Sequence, residues 1–214
     1  MNQPVTERRR RAPRGQGERL RDEILDAAER LLLESGDAEA VSIRAVADAV
    51  GVTPPSIYLH FEDKNELIFA VCEKHFARLD QVLEAAAARS TDPLESLRLR
   101  GRAYVRFGLD NPEHYRILFM GKPSATPESF DEERLRTSAS FDHLVGAVRT
   151  CMDAGVIPQQ DPVFVAIGLW TAVHGLTSLL VAKPDFPWPD VERLADHLCT
   201  VHVLGLQATG LESA

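Results

Sequence analysis

Apolar residues recur with helical spacing from about residue 21 almost to the end of this 214-residue chain. No stretch alternates as a half-buried strand does. In RDEILDAAERLLLESG (21–36), Ile24, Ala27, Ala28, Leu31 and Leu32 form one stripe, and Gly36 supplies a C-cap. Ser42 is an N-cap for a second helix with Ile43, Val46, Ala47 and Val50 on one side, ended by Gly51. Thr53 restarts the chain, and Ile57 and Phe61 give a third, short helix its apolar side. Glu62 or Asp63 then caps a helix to about Ala88 that buries Leu67, Ile68, Val71, Cys72, Phe76 and Leu79. Asp92-Pro93, Asn111-Pro112 and Asp161-Pro162 each join a capping side chain to a proline at the first helical position. A Pro/Ser-containing loop at 121–129, a helix ending at Gly155 and a last helix from Asp190 to about Gln207 complete the pattern. It predicts an all-α chain of about nine helices, three of them in an N-terminal unit.

A helix, a short turn containing Gly51 and a second helix make the helix-turn-helix unit, whose second helix enters the major groove of DNA. Here that helix opens with the doublet Pro54-Pro55. A proline disfavours helical geometry in the residue before it, so Pro54 is expected to be extended and the helix to begin at Pro55. The doublet also removes two N–H groups from the helix entry. Readout is then left to Thr53, Ser56, Tyr58 and the proline faces, with Arg44 as the candidate for a guanine contact. Ser42, Tyr58, His60 and Lys64 are candidates for phosphate contact. The plainer alternative for Tyr58 is packing between helices. Lys64 stands in the first turn of its helix, where a cation is mildly unfavourable, and a nearby phosphate explains it.

The span from Arg21 to Val71 resembles the TetR family of bacterial transcription regulators. The resemblance rests on Ile24, Leu25, Ala27, Ala28 and Gly36, then on Ala47, Gly51-Val52-Thr53, Ile57-Tyr58, His60-Phe61, Lys64 and Leu67. Further on, YVRFGLDNPEHYRILFM and LWTAVHGL, with Trp170, His174 and Gly175, resemble the branch whose C-terminal domain is named for a Trp-His-Gly signature. The resemblance implies a homodimer joined through the last two helices and bound to an inverted repeat in double-stranded DNA. It implies a small molecule in the body that shifts the helix starting near Asp63, with repression as the usual mode. The chain then divides into a basic arm (1–18), a helix-turn-helix domain (19–66), a helical effector-binding and dimerisation domain (67–208) and a tail (209–214).

Charge bears on this picture. A net charge of −8 argues at first against a nucleic-acid partner, but residues 1–21 hold seven Arg against two Glu. That asymmetry describes a basic arm on an acidic body. Within the arm, Arg10, Arg11 and Arg14 are candidates for phosphate or narrow minor-groove contact. A solvated tail is the plainer alternative. The arm has no apolar segment, so it does not read as a secretory leader. Cys72, Cys151 and Cys199 are odd in number and form no CxxC pair, which fits buried thiols in a reducing, cytoplasmic compartment. His197, Cys199 and His202 share a helix without sharing a face, so no metal site and no cofactor are expected. No Gly-rich phosphate loop or GxSxG elbow occurs, and the chain does not read as an enzyme.

The segment PVFVAIGLWTAVHGLTSLLVA (162–182) is long enough for a membrane span. His174, Thr171, Thr177, Ser178 and the lack of basic flanks argue instead for a helix buried from several directions. One side packs on the body and another on a second copy, with Gly168, Ala172 and Gly175 permitting close approach. The last helix offers a matching seam of Val191, Leu194, Leu198, Val201 and Gly205. A pocket for a small apolar effector is expected in the body. Its candidate lining is Phe76, Tyr104, Phe107, Tyr115, Phe119, Met120, Phe141, Met152, Trp170 and His174, with Tyr104, His174 and Thr177 as polar suppliers. Each of these is also explained as plain core, and His174 as a core histidine bonded to a backbone carbonyl. The alternative function is a DNA-binding protein of the same fold controlled by a protein partner, which a filled body favours.

Overall fold

The computed structural model describes residues 16–120 and 139–208. Arg10, Arg11 and Arg14, the loop at 121–129 and the tail at 209–214 lie outside the described residues. Nine α-helices and no strand occur among those described. They are α1 (Gln16–Ser35), α2 (Ile43–Val50), α3 (Pro54–Ile57), α4 (Lys64–Ala87), α5 (Pro93–Asp110), α6 (Pro112–Phe119), α7 (Ala139–Asp153), α8 (Pro162–Ala182) and α9 (Val191–Ala208), with a 3-10 turn at Ala38–Ala40.

Side-chain caps set most of the helix starts. The Ser42 hydroxyl accepts the Ala45 N–H at 3.1 Å, and the Asp63 carboxylate accepts the Glu66 N–H at 2.8 Å. Asp92, Asp161 and Asp190 do the same for α5, α8 and α9. Each such cap is worth about 1 kcal/mol. Gly51 closes α2 at φ 75°, where only glycine is unstrained.

Three starts differ from the sequence expectation. Pro54, not Pro55, is the first residue of α3, and Thr53 is the extended residue (φ −89°, ψ 149°). Pro54 already has a φ suited to a helix, and the Tyr58 N–H closes the turn on its carbonyl at 3.4 Å while Ile57 is fully buried. That bond and that burial outweigh the bias against helix before proline. Helix α1 begins at Gln16, ahead of its apolar stripe, because its exposed first turn carries an Arg19–Glu23 ion pair rather than core residues. Asn111 does not cap α6. Its amide donates to the Phe107 carbonyl at 2.9 Å and so finishes α5.

The head formed by α1, α2, α3 and the start of α4 has one core. Ile24, Ala28 and Leu32 meet Val46, Ala47, Ile57, Phe61, Leu67 and Val71. Leu118 of α6 joins this core, so the body reaches into the head. In the body α5 is central and packs on α4, α8 and α9, while α7 lies against α8. Gly108 allows the close crossing of α5 and α8, since a Cβ there would stand 2.2 Å from Thr177 Cγ2.

Candidate nucleic-acid interface and internal cavity

The reading face is built from α2, α3 and the turn that follows. Ser42, Arg44, Thr53, Pro55 and Tyr58 are exposed, and Pro54, Ser56, His60 and Lys64 are half-buried. The Tyr58 ring is turned out, 54% exposed, so packing between helices is not its role. The Thr53 and Ser56 hydroxyls lie 3.2 Å apart and form a paired donor–acceptor edge. Ser42 uses its oxygen for the cap, which leaves its O–H free to donate. Lys64 already has partners: its ammonium donates to the Glu39 carbonyl at 3.2 Å and lies 3.5 Å from the Glu39 carboxylate. The Glu39 contacts give its place in the first turn of α4 a second explanation beside a phosphate. Leu59, at 83% exposed, was not among the expected site residues. It stands four residues after Pro55, on the side away from Ile57 and Phe61, and that spacing was the available signal. Arg21 braces the turn from behind, with its guanidinium 5.1 Å from the Phe61 ring centroid.

The body contains a cavity of about 590 Å³, a size typical of small-molecule sites. Five of the expected lining residues border it: Phe76, Tyr104, Phe119, Phe141 and Trp170. Leu79, Leu83, Leu97, Leu144 and Val173 complete much of the apolar wall. Phe107, Tyr115, Met152, His174 and Thr177 do not border it, and nor does Met120, which is 42% exposed. Phe107 and Met152 belong to packed clusters around it. Thr177 is fully buried at the α5–α8 crossing and donates to the Val173 carbonyl at 2.7 Å.

His174 is held in a polar network instead. Its Nδ1 lies 3.0 Å from the Tyr104 hydroxyl and 2.8 Å from the Tyr115 hydroxyl, and its Nε2 lies 3.4 Å from Ser178 Oγ. The Trp170 indole N–H donates to Tyr104 at 3.3 Å. With the proton on Nε2, Nδ1 accepts from tyrosine. Burial lowers the His174 pKa and so favours this neutral form. Its ring partners are tyrosines rather than the backbone carbonyl expected of a core histidine.

Two charged residues at the cavity escaped the sequence reading. Arg98 is paired with Glu95 and Asp196. Arg100 is only 7% exposed and bonded to Glu84 through Nη1, while its buried Nε has no hydrogen-bond partner. In LRLRGR the arginines look like a solvated face, and only the packing of α4 and α8 against α5 encloses them. The three cysteines are buried, and burial pushes each thiol pKa up to about 11, which keeps them unreactive.

Helix α8 is long and apolar enough by composition to cross a membrane. In the fold one side packs inward and the other shows Phe164, Ile167, Gly168, Thr171, Gly175 and Leu179. Nothing lies within 4 Å of a Cβ placed at Gly168 or Gly175. The expected seam on α9 splits. Val191, Leu194 and Leu198 turn inward onto α5 and α8, and the exposed apolar residues are Val201 and Leu204.

Comparison with known proteins matches these two parts separately. Residues 24–71 match the model of bacterial regulatory proteins of the tetR family. Residues 97–202 match the tetracyclin repressor-like C-terminal domain. The transcriptional activator FasR of Mycolicibacterium smegmatis is 29% identical over 160 residues, 75% of this chain and 71% of its own length. The regulator AcrR of Shigella flexneri is 27% identical over 158 residues, covering 69% of this chain and 71% of its own. Among solved structures, FadR of Bacillus subtilis in complex with stearoyl-CoA shares the fold, with a TM-score of 0.72 at 16% identity over 86% of this chain and 98% of that one. A helix-turn-helix head with a formed reading face, a hollow helical body behind it and matches to both halves lead to one assignment: the chain belongs to the TetR family of DNA-binding transcription regulators.

Proposed function

We propose that this chain is a ligand-responsive repressor, active in the cytoplasm as a homodimer on an inverted repeat and released when an effector fills the body. The observation that carries the reading is the cavity together with its neighbour α6. Phe119 of α6 borders the cavity and Leu118 of the same helix is part of the head core. An effector that prefers a different placement of α6 therefore acts on the head directly. It shifts DNA binding only by as much as its affinity differs between the two arrangements. The rival reading, control by a protein partner without an effector, needs a filled body, and a space of about 590 Å³ argues against it.

The apolar face of α8 with Val201 and Leu204 of α9 supports pairing of two copies. Burying it removes large apolar side chains from water, and the open Gly168 and Gly175 let helices approach closely. Pairing sets two reading faces about 34–36 Å apart, one turn of the duplex. Arg44, Thr53, Ser56 and Tyr58 then read base edges, Leu59 meets thymine methyl groups, and Ser42, His60 and Lys64 hold phosphates. The effector is an apolar molecule with one acidic group, because the Arg100 Nε is a buried donor without an acceptor.

Genomic fragments retained by the purified chain test the reading. The expected result is a shared inverted repeat whose affinity falls when decanoate is added, and falls less with decanol. Retention of random fragments, or affinity unchanged by any ligand that raises the melting temperature, overturns it.

A further inference from the structure

Glu29 on α1, His75 on α4 and His114 on α6 converge between the head and the body, and the regulatory reading above does not use them. Glu29 Oε1 lies 3.2 Å from His75 Nε2 and 3.3 Å from His114 Nε2. All three ligand atoms lie within 4.8 Å of one another. The two imidazole rings are 4.3 Å apart between centroids. His75 is 4% exposed, and its Nε2 makes no hydrogen bond although Glu29 is close. A buried ring nitrogen close to a carboxylate oxygen but not hydrogen-bonded to it is an unsatisfied group, and such groups call for a partner.

We propose that Glu29, His75 and His114 form a binding site for one zinc-class divalent cation, which ties the DNA-reading head to the body. Two imidazoles and a carboxylate suit zinc, cobalt or copper and not the harder magnesium or calcium. In a tetrahedral site with bonds of about 2.0–2.1 Å, neighbouring ligand atoms stand about 3.3 Å apart. The two contacts to Glu29 already have that length. Each ring presents Nε2 to the metal with its proton carried on Nδ1. Three protein ligands leave the fourth position for water.

The surroundings orient the carboxylate. Lys74 binds Glu29 through the other oxygen, Oε2, at 3.2 Å, which leaves Oε1 for the metal. Asp26 lies 2.8 Å from the same ammonium and offsets its charge. Such outer partners position a ligand as well as holding charge. The ligands come from three helices, so binding restrains the head against α4 and α6. The site stands apart from the cavity and needs neither DNA nor effector to be tested.

The experiment adds cobalt(II), and separately zinc(II), to the full-length chain free of any affinity tag. The expected result is one bound ion per chain, a tetrahedral cobalt absorption band displaced by zinc, and a melting temperature raised by zinc. His114→Gln and Glu29→Gln should weaken binding more than about 100-fold, beyond the loss typical of outer-shell partners. His114 is half-buried, so its variant is expected to fold, checked by circular dichroism without metal. A cobalt spectrum that stays that of the free aquo ion, or one unchanged in a folded His114→Gln chain, overturns the proposal and leaves a hydrogen-bonded Glu–His pair. Neither result bears on DNA binding.

Discussion

The head and the body are built from the same amphipathic helices but solve packing differently. In the head, the helices converge on Ile24, Val46, Ile57, Phe61 and Leu67, each at most 2% exposed, and every turn has a side-chain or glycine cap to fix it. In the body, the helices surround a space of about 590 Å³ and leave the α8 face bare. A reading head needs one geometry, because base-edge contacts fail with small displacements. Under the proposed function, a body that senses a ligand needs two arrangements close in free energy, and an incompletely filled core leaves room for them.

The largest effect expected from this contrast concerns stability. Phe61→Ala should cost about 3–5 kcal/mol in urea unfolding, the usual range for a buried phenylalanine. Phe141→Ala, at the cavity edge and only half-buried, should cost less than half as much. Equal losses mean that the body is as tightly packed as the head. On DNA, Arg44→Ala should weaken binding to the selected sequence by about 1–3 kcal/mol and relax preference at one base pair. Uniform weakening across all sequences reassigns Arg44 to phosphate. Ala172→Leu fills the cavity from α8 and should raise stability by about 0.5–2 kcal/mol while erasing the melting shift given by ligand. A retained shift places the ligand elsewhere.

Acid should act through the histidines His75 and His174, of which His174 is shifted by burial alone. Its pKa is lowered by burial, so the unfolded chain takes up a proton that the folded chain refuses. Stability is then complete above the ordinary histidine pKa of about 6.5 and is lost as pH falls below it, by at most about 1.4 kcal/mol per pH unit. His174→Gln, which can still accept from tyrosine, should flatten that slope between pH 6.5 and 5 in thermal melts. An equal slope in both chains removes His174 from the account. The smallest effect is at Lys64. Lys64→Ala should flatten the salt dependence of DNA binding by about one unit if the side chain leaves Glu39 for phosphate. An unchanged slope confines it to the Glu39 carbonyl.

The local features were legible in the sequence because their causes are local. Ser42, Gly51 and Asp63 sit at helix ends and act within a few residues. Asn111 misled because the residue that precedes α6 also follows α5, and the nearer carbonyl took its amide. The lining of the cavity was half legible. Aromatic type alone does not separate Phe119, which borders the space, from Phe107, which packs behind it, since that depends on which side of α5 and α6 faces α8. Arg100 and the Glu29–His75–His114 cluster were hidden for the same reason. Their partners lie on other helices, far away in sequence, and only the crossing of those helices brings them together.

The central claim is that occupancy of the body and grip on DNA are linked through α6. The direct measurement is the affinity of the chain for its own selected operator, titrated with and without a saturating ligand that raises the melting temperature. The account predicts a fall of about 5-fold to 150-fold, with ligand affinity weakened by the same factor when operator is bound. Equal operator affinity in the free and liganded chain contradicts it.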